Sequence, residues 1–253
     1  MNITPYYHVS AMGNWQSVVT EQLTVLHDGG FEGIVKSVVC GSEMDLHKFL
    51  EIANATQVRV EVIGRCMDSS DYEFPTLAAM QQDCLDERCD HVLYFHTKGV
   101  SQSACELRKY WRWFMNAYML RDCPKLAAVL GEHDFCGPVI AHLPMRHSCG
   151  NYFAASAAYL RKLPLIEVFR KTYHEWIKAG ATYYFEERHA AEMWIDCLGI
   201  AKALQLHPDP DCDIAQEEWW KKHPEIREFA RLQGGLSKNG ATGMRGEIDR
   251  WRS

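Results

Sequence analysis

Apolar and polar positions follow two alternating patterns through the first hundred residues. Short apolar runs, rich in β-branched and aromatic residues, predict four strands. These runs are 6–9, 34–40, 58–63 and 92–95. Between them, apolar positions recur three and four residues apart, which is the spacing of helices that pack one face against a core. The alternation predicts an α/β fold with a mostly parallel central sheet, right-handed crossovers and flanking helices.

Residues that cap or break helices set the limits of the segments between these strands. Asn14 is a candidate N-cap for the helical spacing that begins at Trp15, and Gly29-Gly30 ends that spacing. Residues 43–54 are predicted to be helical, and Pro75 stands at the first-turn position that proline favours. Each of the first three strands is therefore followed by a helix that can cross back over the sheet.

The pattern changes after residue 100. An aromatic-rich helix is predicted over 105–121, strands over 134–140 and 152–155, and helices over 156–162, 166–178 and 187–205. A charged helix from Gln216 and a glycine-rich tail end the chain. We predict one domain over 1–215 with halves 1–100 and 101–215, and a C-terminal helical appendage with a flexible tail over 216–253.

The composition supports a folded domain and restricts its partners. Of the 253 residues, 47% are hydrophobic and 24% are charged, which suits a sizeable core. The net charge of −6 disfavours broad electrostatic binding to nucleic acid, so no nucleic-acid partner is expected. No apolar run approaches the roughly 18 residues of a membrane span, and the first residues do not resemble a signal peptide. We therefore expect no transmembrane segment and a cytoplasmic location.

Ten cysteines are scattered along the chain without any Cys-x-x-Cys pair. That spacing is not typical of a zinc site or of a disulfide framework. Cys40, Cys136 and Cys197 lie in apolar segments, where a thiol behaves as a small hydrophobe. In a cytosolic protein we expect these cysteines to be reduced structural thiols.

The segment His96-Thr97-Lys98-Gly99 follows directly on the fourth predicted strand. Ligands of open α/β sheets bind just beyond the carboxyl ends of strands. Here the lysine supplies a charge, the histidine and threonine supply hydrogen-bond donors, and the glycine permits close backbone approach, which suits a phosphorylated ligand. A plain polar turn after a core strand is the alternative.

Two further segments carry candidate chemistry. Gly150-Asn151-Tyr152 can form a tight turn that offers an amide to sugar hydroxyls, or an ordinary turn into a strand. In a helix, Arg188, His189 and Glu192 would share one face. A carboxylate held beside such groups is a candidate general base, and a surface ion pair is the alternative. The apolar residues 193–195 favour a buried helix and therefore the first interpretation.

Several common signatures are missing from the sequence. There is no Gly-x-Gly-x-x-Gly after the first strand and no Walker A motif, which disfavours a dinucleotide enzyme or a P-loop ATPase. Gly-x-Ser-x-Gly is missing as well, which disfavours an ordinary α/β hydrolase.

Taken in order, these segments and several others resemble one family. The motifs are Tyr7-His8 followed by Trp15 and Glu21-Gln22, Glu73-x-Pro75-Thr76-Leu77, Tyr94-Phe95-His96-Thr97-Lys98-Gly99, Trp111-x-x-x-Met115, Gly150-Asn151-Tyr152-Phe153, Tyr159-Leu160-x-x-Leu163-Pro164 and residues 188–195. They resemble nucleotide-sugar glycosyltransferases of bacteria and large viruses that carry a His-Thr-Lys-Gly signature, similar to enzymes of rhamnan synthesis. The resemblance spans residues 6–196, most of the chain.

The resemblance implies a GT-A-like, Rossmann-like fold in which 1–100 is the nucleotide-sugar half and 101–215 is the acceptor half. The donor-binding residues on this basis are His8, Val9, Ser10, Arg65, His96, Thr97, Lys98, Asn151 and Tyr152. Glu192 is the candidate catalytic base.

One departure from that family concerns the metal. Most GT-A enzymes place Asp-x-Asp at the end of the fourth strand, where a divalent ion bridges the diphosphate. This chain has His96-Thr97-Lys98 there, so Lys98 could neutralise the diphosphate, and we expect no obligatory metal. The alternative is that His96 binds a Mn²⁺ or Mg²⁺ ion.

The sequence thus predicts a glycosyltransferase that moves a sugar from a nucleoside diphosphate to a hydroxyl of a glycan or glycolipid acceptor, with inversion and with Glu192 as base. A UDP-sugar is the favoured donor, and GDP- and dTDP-sugars are alternatives. The rival hypothesis is a non-catalytic nucleotide- or carbohydrate-binding domain on the same fold. A nucleotidyltransferase ranks third, because it would need a phosphate-gripping glycine loop and acidic metal ligands.

Overall fold

The computed structural model describes residues 2–100, 105–143, 145–180, 186–209, 212 and 217–234. Strands and α-helices alternate up to residue 96. They are β1 (Ile3–Ser10), α1 (Trp15–Asp28), β2 (Ile34–Cys40), α2 (Glu43–Ala55), β3 (Arg59–Cys66), α3 (Phe74–Leu85) and β4 (His91–His96).

The rest of the chain has shorter strands and a larger share of helix. Its elements are α4 (Glu106–Met115), α5 (Cys123–Val129), β5 (Phe135–Gly137), β6 (Ile140–Ala141), β7 (His147–Ser148), β8 (Phe153–Ser156), α6 (Ala157–Leu160), α7 (Ile166–Lys178), α8 (His189–Met193), β9 (Ala203–Gln205), α9 (Glu217–Lys222) and α10 (Pro224–Gly234).

In the described part of the chain, seven strands form one sheet in the order β3-β2-β1-β4-β8-β5-β9. The pairs among β1, β2, β3 and β4 are parallel, and so is the pair β5–β9. Strand β8 runs antiparallel to both β4 and β5. The predicted α/β class and the mostly parallel sheet flanked by helices are confirmed.

The two central strands are buried on both faces, and successive side chains enter opposite layers. Tyr7 and Phe95 point into one core, where their rings stack with centroids 4.2 Å apart. Tyr6 and Tyr94 point into the other core. Helices α1, α2 and α4 cover the first face, and α3, α6, α7 and α8 cover the second. This register pairs His8 with His96 and brings the carboxyl ends of β1 and β4 side by side.

The prediction of a continuous helix over 187–205 is wrong beyond residue 196. Helix α8 is followed by a 3₁₀ turn over Trp194–Asp196, and Ala203–Gln205 form the edge strand β9. Asp196 is buried, pairs with Arg146, and accepts a hydrogen bond from Ala201 N at 3.2 Å. These contacts hold the chain in a turn that periodicity alone does not reveal. The helix predicted over 105–121 is also shorter, because a π-helical turn over Asn116–Leu120 follows α4.

The C-terminal appendage consists of two helices instead of one. Trp219, Trp220, Ile226 and Ala230 are buried in the core that α1 and α4 also share. Helices α9 and α10 therefore complete a layer of the fold. The predicted tail over 235–253 lies outside the described residues, and the domain boundary at 215 stays a prediction. Among the described helices, none has the length and hydropathy of a bilayer span.

Cys40 and Cys66 form a disulfide, which corrects the expectation that the cysteines are all reduced. The two residues are register partners at the carboxyl ends of β2 and β3, with Cα atoms 4.5 Å apart. This separation lies within the range of disulfides. Only strand pairing brings the two residues together across a sequence separation of 26, so their spacing carried no signal.

Loss of this disulfide is expected to lower the free energy of unfolding by about 3 kcal/mol, because the unfolded chain regains the freedom of a loop of this length. A reductant should lower the urea midpoint of the wild-type protein and leave that of the Cys40→Ser/Cys66→Ser variant unchanged. Equal responses of the two proteins to reductant would show that the bond does not form in solution.

Candidate functional site

A cavity of about 520 Å³ opens at the carboxyl ends of β1 and β4. The start of α3, the helix α4, the segment around β7 and the helix α8 complete its lining. Open α/β sheets bind their ligands at this edge. The cavity is lined by charged and polar side chains from each of these elements, so it is a candidate for an anionic, hydrogen-bonding ligand.

Six of the ten site residues predicted from the sequence line this cavity. They are His8, Ser10, His96, Thr97, Lys98 and Glu192. The other four lie elsewhere. Val9 is fully buried in the core, Arg65 pairs with Glu43, and Asn151 and Tyr152 lie behind the cavity lining.

Hydrogen bonds fix the end of β4 against the end of β1. Thr97 N donates to His8 O at 3.1 Å, and Ser10 N donates to Thr97 Oγ1 at 2.9 Å. His8 Nδ1 lies 2.9 Å from Thr76 Oγ1 of α3. Burial lowers the pKa of His8 to about 4, so this imidazole is neutral at pH 7. His8 and Thr97 therefore supply hydrogen bonds and shape, and the positive charge comes from other residues.

Lys98 and Glu192 face each other inside the cavity, with Nζ 3.8 Å from Oε1. Lys98 Nζ also lies 4.4 Å from the centroid of the Trp111 ring, which is a cation–π contact. The two charged side chains are only 13% and 23% exposed. Because water is largely excluded, each charge acts on a ligand more strongly than it would on the surface.

Two arginines add positive charge to the same cavity. Arg108 lies with its guanidinium carbon 4.7 Å from the centroid of the Trp111 ring. Arg188 lies at the start of α8 and pairs with Glu186. Both arginines and Lys98 line the cavity, so cations are present on more than one side of it.

Glu73 is a cavity residue that the sequence placed only within a family motif. Its Oε1 lies 3.1 Å from Nδ1 of His96, and Nε2 of the same ring lies 3.0 Å from the carbonyl oxygen of Gly150. Burial, followed by the charge of Glu192, raises the pKa of Glu73 to about 7. Burial, followed by the charge of Lys98, lowers the pKa of His96 well below its ordinary value.

The sequence signal for Glu73 is its position at the start of α3, two residues before Pro75. That position marks a helix N-terminus, but it does not show which strand end the helix will meet. The crossover that brings α3 beside β4 is a property of the tertiary structure.

Tyr152 positions the strand end from behind the cavity. Its hydroxyl donates to the His96 carbonyl oxygen at 2.6 Å and accepts a hydrogen bond from Gln22 Nε2, which itself donates to that carbonyl at 2.8 Å. Tyr152 is fully buried, so its ring does not reach the cavity. Asn151 is also fully buried, and its side-chain amide has no hydrogen-bond partner among the described residues.

Gly150 is required where it stands. Its φ is +81°, and a Cβ atom there would lie 2.7 Å from Met115 Sδ and 2.8 Å from Trp111 Nε1. A larger residue would strain the turn and move the carbonyl that contacts His96.

A buried ion pair between Glu21 and Arg112 contacts the loop that follows β4. Arg112 Nε and Nη2 donate to the two carboxylate oxygens of Glu21 at 2.7 and 3.2 Å. Trp113 Nε1 and Asn116 Nδ2 donate to the same carboxylate at 2.7 and 3.0 Å. Arg112 Nη1 donates to Lys98 O at 3.2 Å, so the pair joins α1, α4 and the cavity loop.

Metal binding at the end of β4 finds no fitting set of ligands in the structure. Within the described ranges, no three His, Cys, Asp or Glu side chains are grouped to hold an ion. Both ring nitrogens of His96 are already engaged by Glu73 and Gly150. Asp68, on the loop after β3, accepts a hydrogen bond from Ser70 N at 2.8 Å and stabilises its own turn.

The fold and the cavity define an α/β protein with a polar, cation-lined cavity at the carboxyl edge of a mostly parallel sheet. The chain belongs to the family DUF8361, a domain of unknown function, whose family model matches residues 6–228. No curated protein sequence matches the chain.

Solved structures of the same general architecture include two of 4-diphosphocytidyl-2C-methyl-D-erythritol synthase. The one from Anaerococcus prevotii DSM 20548 is 10% identical, covers 89% of this chain and 99% of its own, and has a TM-score of 0.44. The other is 11% identical, covers 90% of this chain and 99% of its own, and has a TM-score of 0.43. These likenesses are too distant to inform the function.

Replacing Glu21 by Gln is expected to lower the free energy of unfolding by about 3–5 kcal/mol, because the Arg112 charge is then buried without its counterion. The change is measured by urea denaturation, with the same m-value used for both proteins. Glu175→Gln, which removes an exposed pair with Lys178 on α7, is the matched control and should have no measurable effect. A Glu21→Gln protein as stable as wild type would show that the pair does not stabilise the fold.

Proposed function

We propose that the protein is a glycosyltransferase that transfers a sugar from a nucleoside diphosphate to a hydroxyl of a glycan or glycolipid acceptor. The observation that carries the proposal is the opposition of Lys98 and Glu192, 3.8 Å apart, in one cavity at the carboxyl end of β4. A buried cation suits a departing diphosphate, and a carboxylate suits the removal of a hydroxyl proton.

The proposed reaction is a single displacement with inversion. Glu192 takes the proton of the acceptor hydroxyl as its oxygen bonds to the anomeric carbon. The bond from that carbon to the diphosphate oxygen breaks, and the electron pair stays on the diphosphate. Lys98 stabilises this developing charge by exchanging part of its contact with Glu192 for the phosphate.

Lys98 takes the role that a divalent ion has in most enzymes of the resembled family. The engaged nitrogens of His96 do not fit an ion there, so no step of this mechanism passes through a metal. A UDP-sugar is the proposed donor, with GDP- and dTDP-sugars as the alternatives. His8, Ser10 and Thr97 line the same part of the cavity and would contact the donor.

Replacing Lys98 by Ala is expected to weaken the binding of the preferred nucleoside diphosphate by about tenfold or more, the value of one lost charge-assisted hydrogen bond. Calorimetric titration with UDP, GDP and dTDP measures the affinity. Lys125→Ala removes an exposed lysine paired with Asp122, far from the cavity, and should leave the affinity unchanged. Equal affinities of the Lys98→Ala and wild-type proteins would remove Lys98 from the donor site.

Replacing Glu192 by Gln is expected to reduce turnover by about 10²- to 10⁴-fold, the usual contribution of a general base. Donor affinity should not fall, since the change removes a negative charge beside Lys98. Glu187→Gln is the matched control, because Glu187 pairs with Arg170 outside the cavity. Near-normal turnover of Glu192→Gln would overturn the base assignment. Donor binding by the wild type without transfer or hydrolysis would favour the non-catalytic binding domain.

A further inference from the structure

The contacts of His96 fix where its ring carries hydrogen. Nε2 lies 3.0 Å from the carbonyl oxygen of Gly150. A carbonyl oxygen only accepts hydrogen bonds, so Nε2 must carry a proton. If the ring is neutral, Nδ1 is therefore left with a lone pair.

That lone pair faces the carboxyl group of Glu73, with Nδ1 and Oε1 3.1 Å apart. An ionised Glu73 beside a neutral His96 would set two lone pairs against each other without a proton between them. The contact is satisfied when one proton is shared, either as a carboxylic acid that donates to the neutral ring or as a carboxylate that accepts from an imidazolium.

The surroundings select the first of these two forms. Several charged and titratable groups face the pair from the surrounding elements. They are His8 of β1, Tyr94 of β4, Lys98 beyond its end, Tyr152 just before β8, Arg188 just before α8, and Glu192 of α8. Burial and the nearby Lys98 disfavour a second positive charge on His96, whose pKa is lowered. Burial and the nearby Glu192 disfavour a second negative charge on Glu73, whose pKa is raised to about 7.

The two carboxyl groups of the cavity, Glu73 and Glu192, are thereby expected to differ in protonation state. Glu192 has Lys98 as a cationic partner, whereas Glu73 faces Nδ1 of a neutral ring, which can only accept. Pairs of carboxyl groups whose environments differ in this way commonly divide the acid and base roles of a site.

We propose that Glu73 is a positioning residue that acts as a neutral carboxylic acid, donating its proton to His96 Nδ1, and that its ionisation opposes the binding of a diphosphate in this cavity. The ligand class rests on the proposed function. The proton keeps the His96 ring against Gly150, and its loss would place a second carboxylate beside Glu192. An anionic ligand therefore binds the protonated site more tightly.

The sign of the pH dependence follows from this linkage. An anion in the cavity raises the pKa of Glu73 further, so the Kd is constant below the pKa of the free site and increases above it, by up to about tenfold per pH unit. The sugar nucleotides UDP-glucose and GDP-mannose are the probes, because their phosphates are diesters and do not titrate in this range.

The test compares Glu73→Gln with wild type by calorimetric titration between about pH 6 and pH 8.5. A glutamine amide donates to Nδ1 as the acid does, but it cannot ionise. We expect the Kd of wild type to rise about tenfold or more over this range, and the Kd of Glu73→Gln to stay constant and to be the lower one at high pH. Glu192→Gln should retain a rise with pH. A Glu73→Gln protein that binds more weakly by one factor at every pH would overturn the proposal.

A ligand-free readout separates this proposal from the proposed function. The δ-carbon of Glu73, assigned by its loss in Glu73→Gln, is followed by ¹³C NMR in the wild-type protein, and the tautomer of His96 is followed by ¹⁵N NMR. We expect Glu73 to titrate near pH 7 while His96 keeps its proton on Nε2. If Glu73 ionises at the same pH as the exposed glutamates, the proposal is overturned and the glycosyltransferase hypothesis is unaffected. Titration near 7 without binding of any sugar nucleotide overturns the proposed function and supports the proton assignment alone.

Discussion

The buried ion pair between Glu21 and Arg112 holds the candidate site in place. Its carboxylate accepts four hydrogen bonds from α4 and the following turn, and its guanidinium reaches the Lys98 carbonyl. The next residue, Gln22, donates to the His96 carbonyl. One turn of α1 thus supports both ends of the short loop that carries the cation. Such a pair costs desolvation, and here it adds a contact to the Lys98 end of a loop whose other end is held by Thr97 and Gln22.

The mixed sheet brings other parts of the chain to the loop that follows β4. The carboxyl ends of the parallel strands β1 and β4 lie side by side. Strand β8 runs antiparallel to β4, so the turn at Gly150, which precedes β8, lies at the same edge of the sheet. His96 lies between these elements and contacts Gly150 on one side and Glu73 on the other. Residues from distant parts of the chain therefore form one cavity, in which Lys98 and Glu192 are mostly buried. The balance between Glu73, Glu192 and the cations Lys98, Arg108 and Arg188 therefore limits the ligands that can bind.

This balance gives a chemical interpretation of the segment His96-Thr97-Lys98. Thr97 fastens β4 to the end of β1, His96 takes its orientation from hydrogen bonds, and Lys98 supplies the charge. The arrangement places an ammonium group at the end of β4, with the Glu192 carboxylate opposite it. Under the protonation proposed for Glu73, one carboxyl group is paired with Lys98 and the other is neutral, so that a base and an anion-binding surface can coexist in one cavity.

The sequence by itself determined the strands and helices of the first half, because periodicity and capping are local properties. It also placed His96, Thr97, Lys98 and Glu192, since polar residues after apolar strands and on a buried helix are recognisable, while the family resemblance added His8 and Ser10. Only the tertiary structure decided that Cys40 meets Cys66, that residues 203–205 pair as an edge strand, and that Asn151 and Tyr152 lie behind the cavity. Glu73 belongs to this second group. Its role depends on the carbonyl of Gly150 and the charge of Glu192, which lie far away in the chain and become neighbours only through strand order and helix packing.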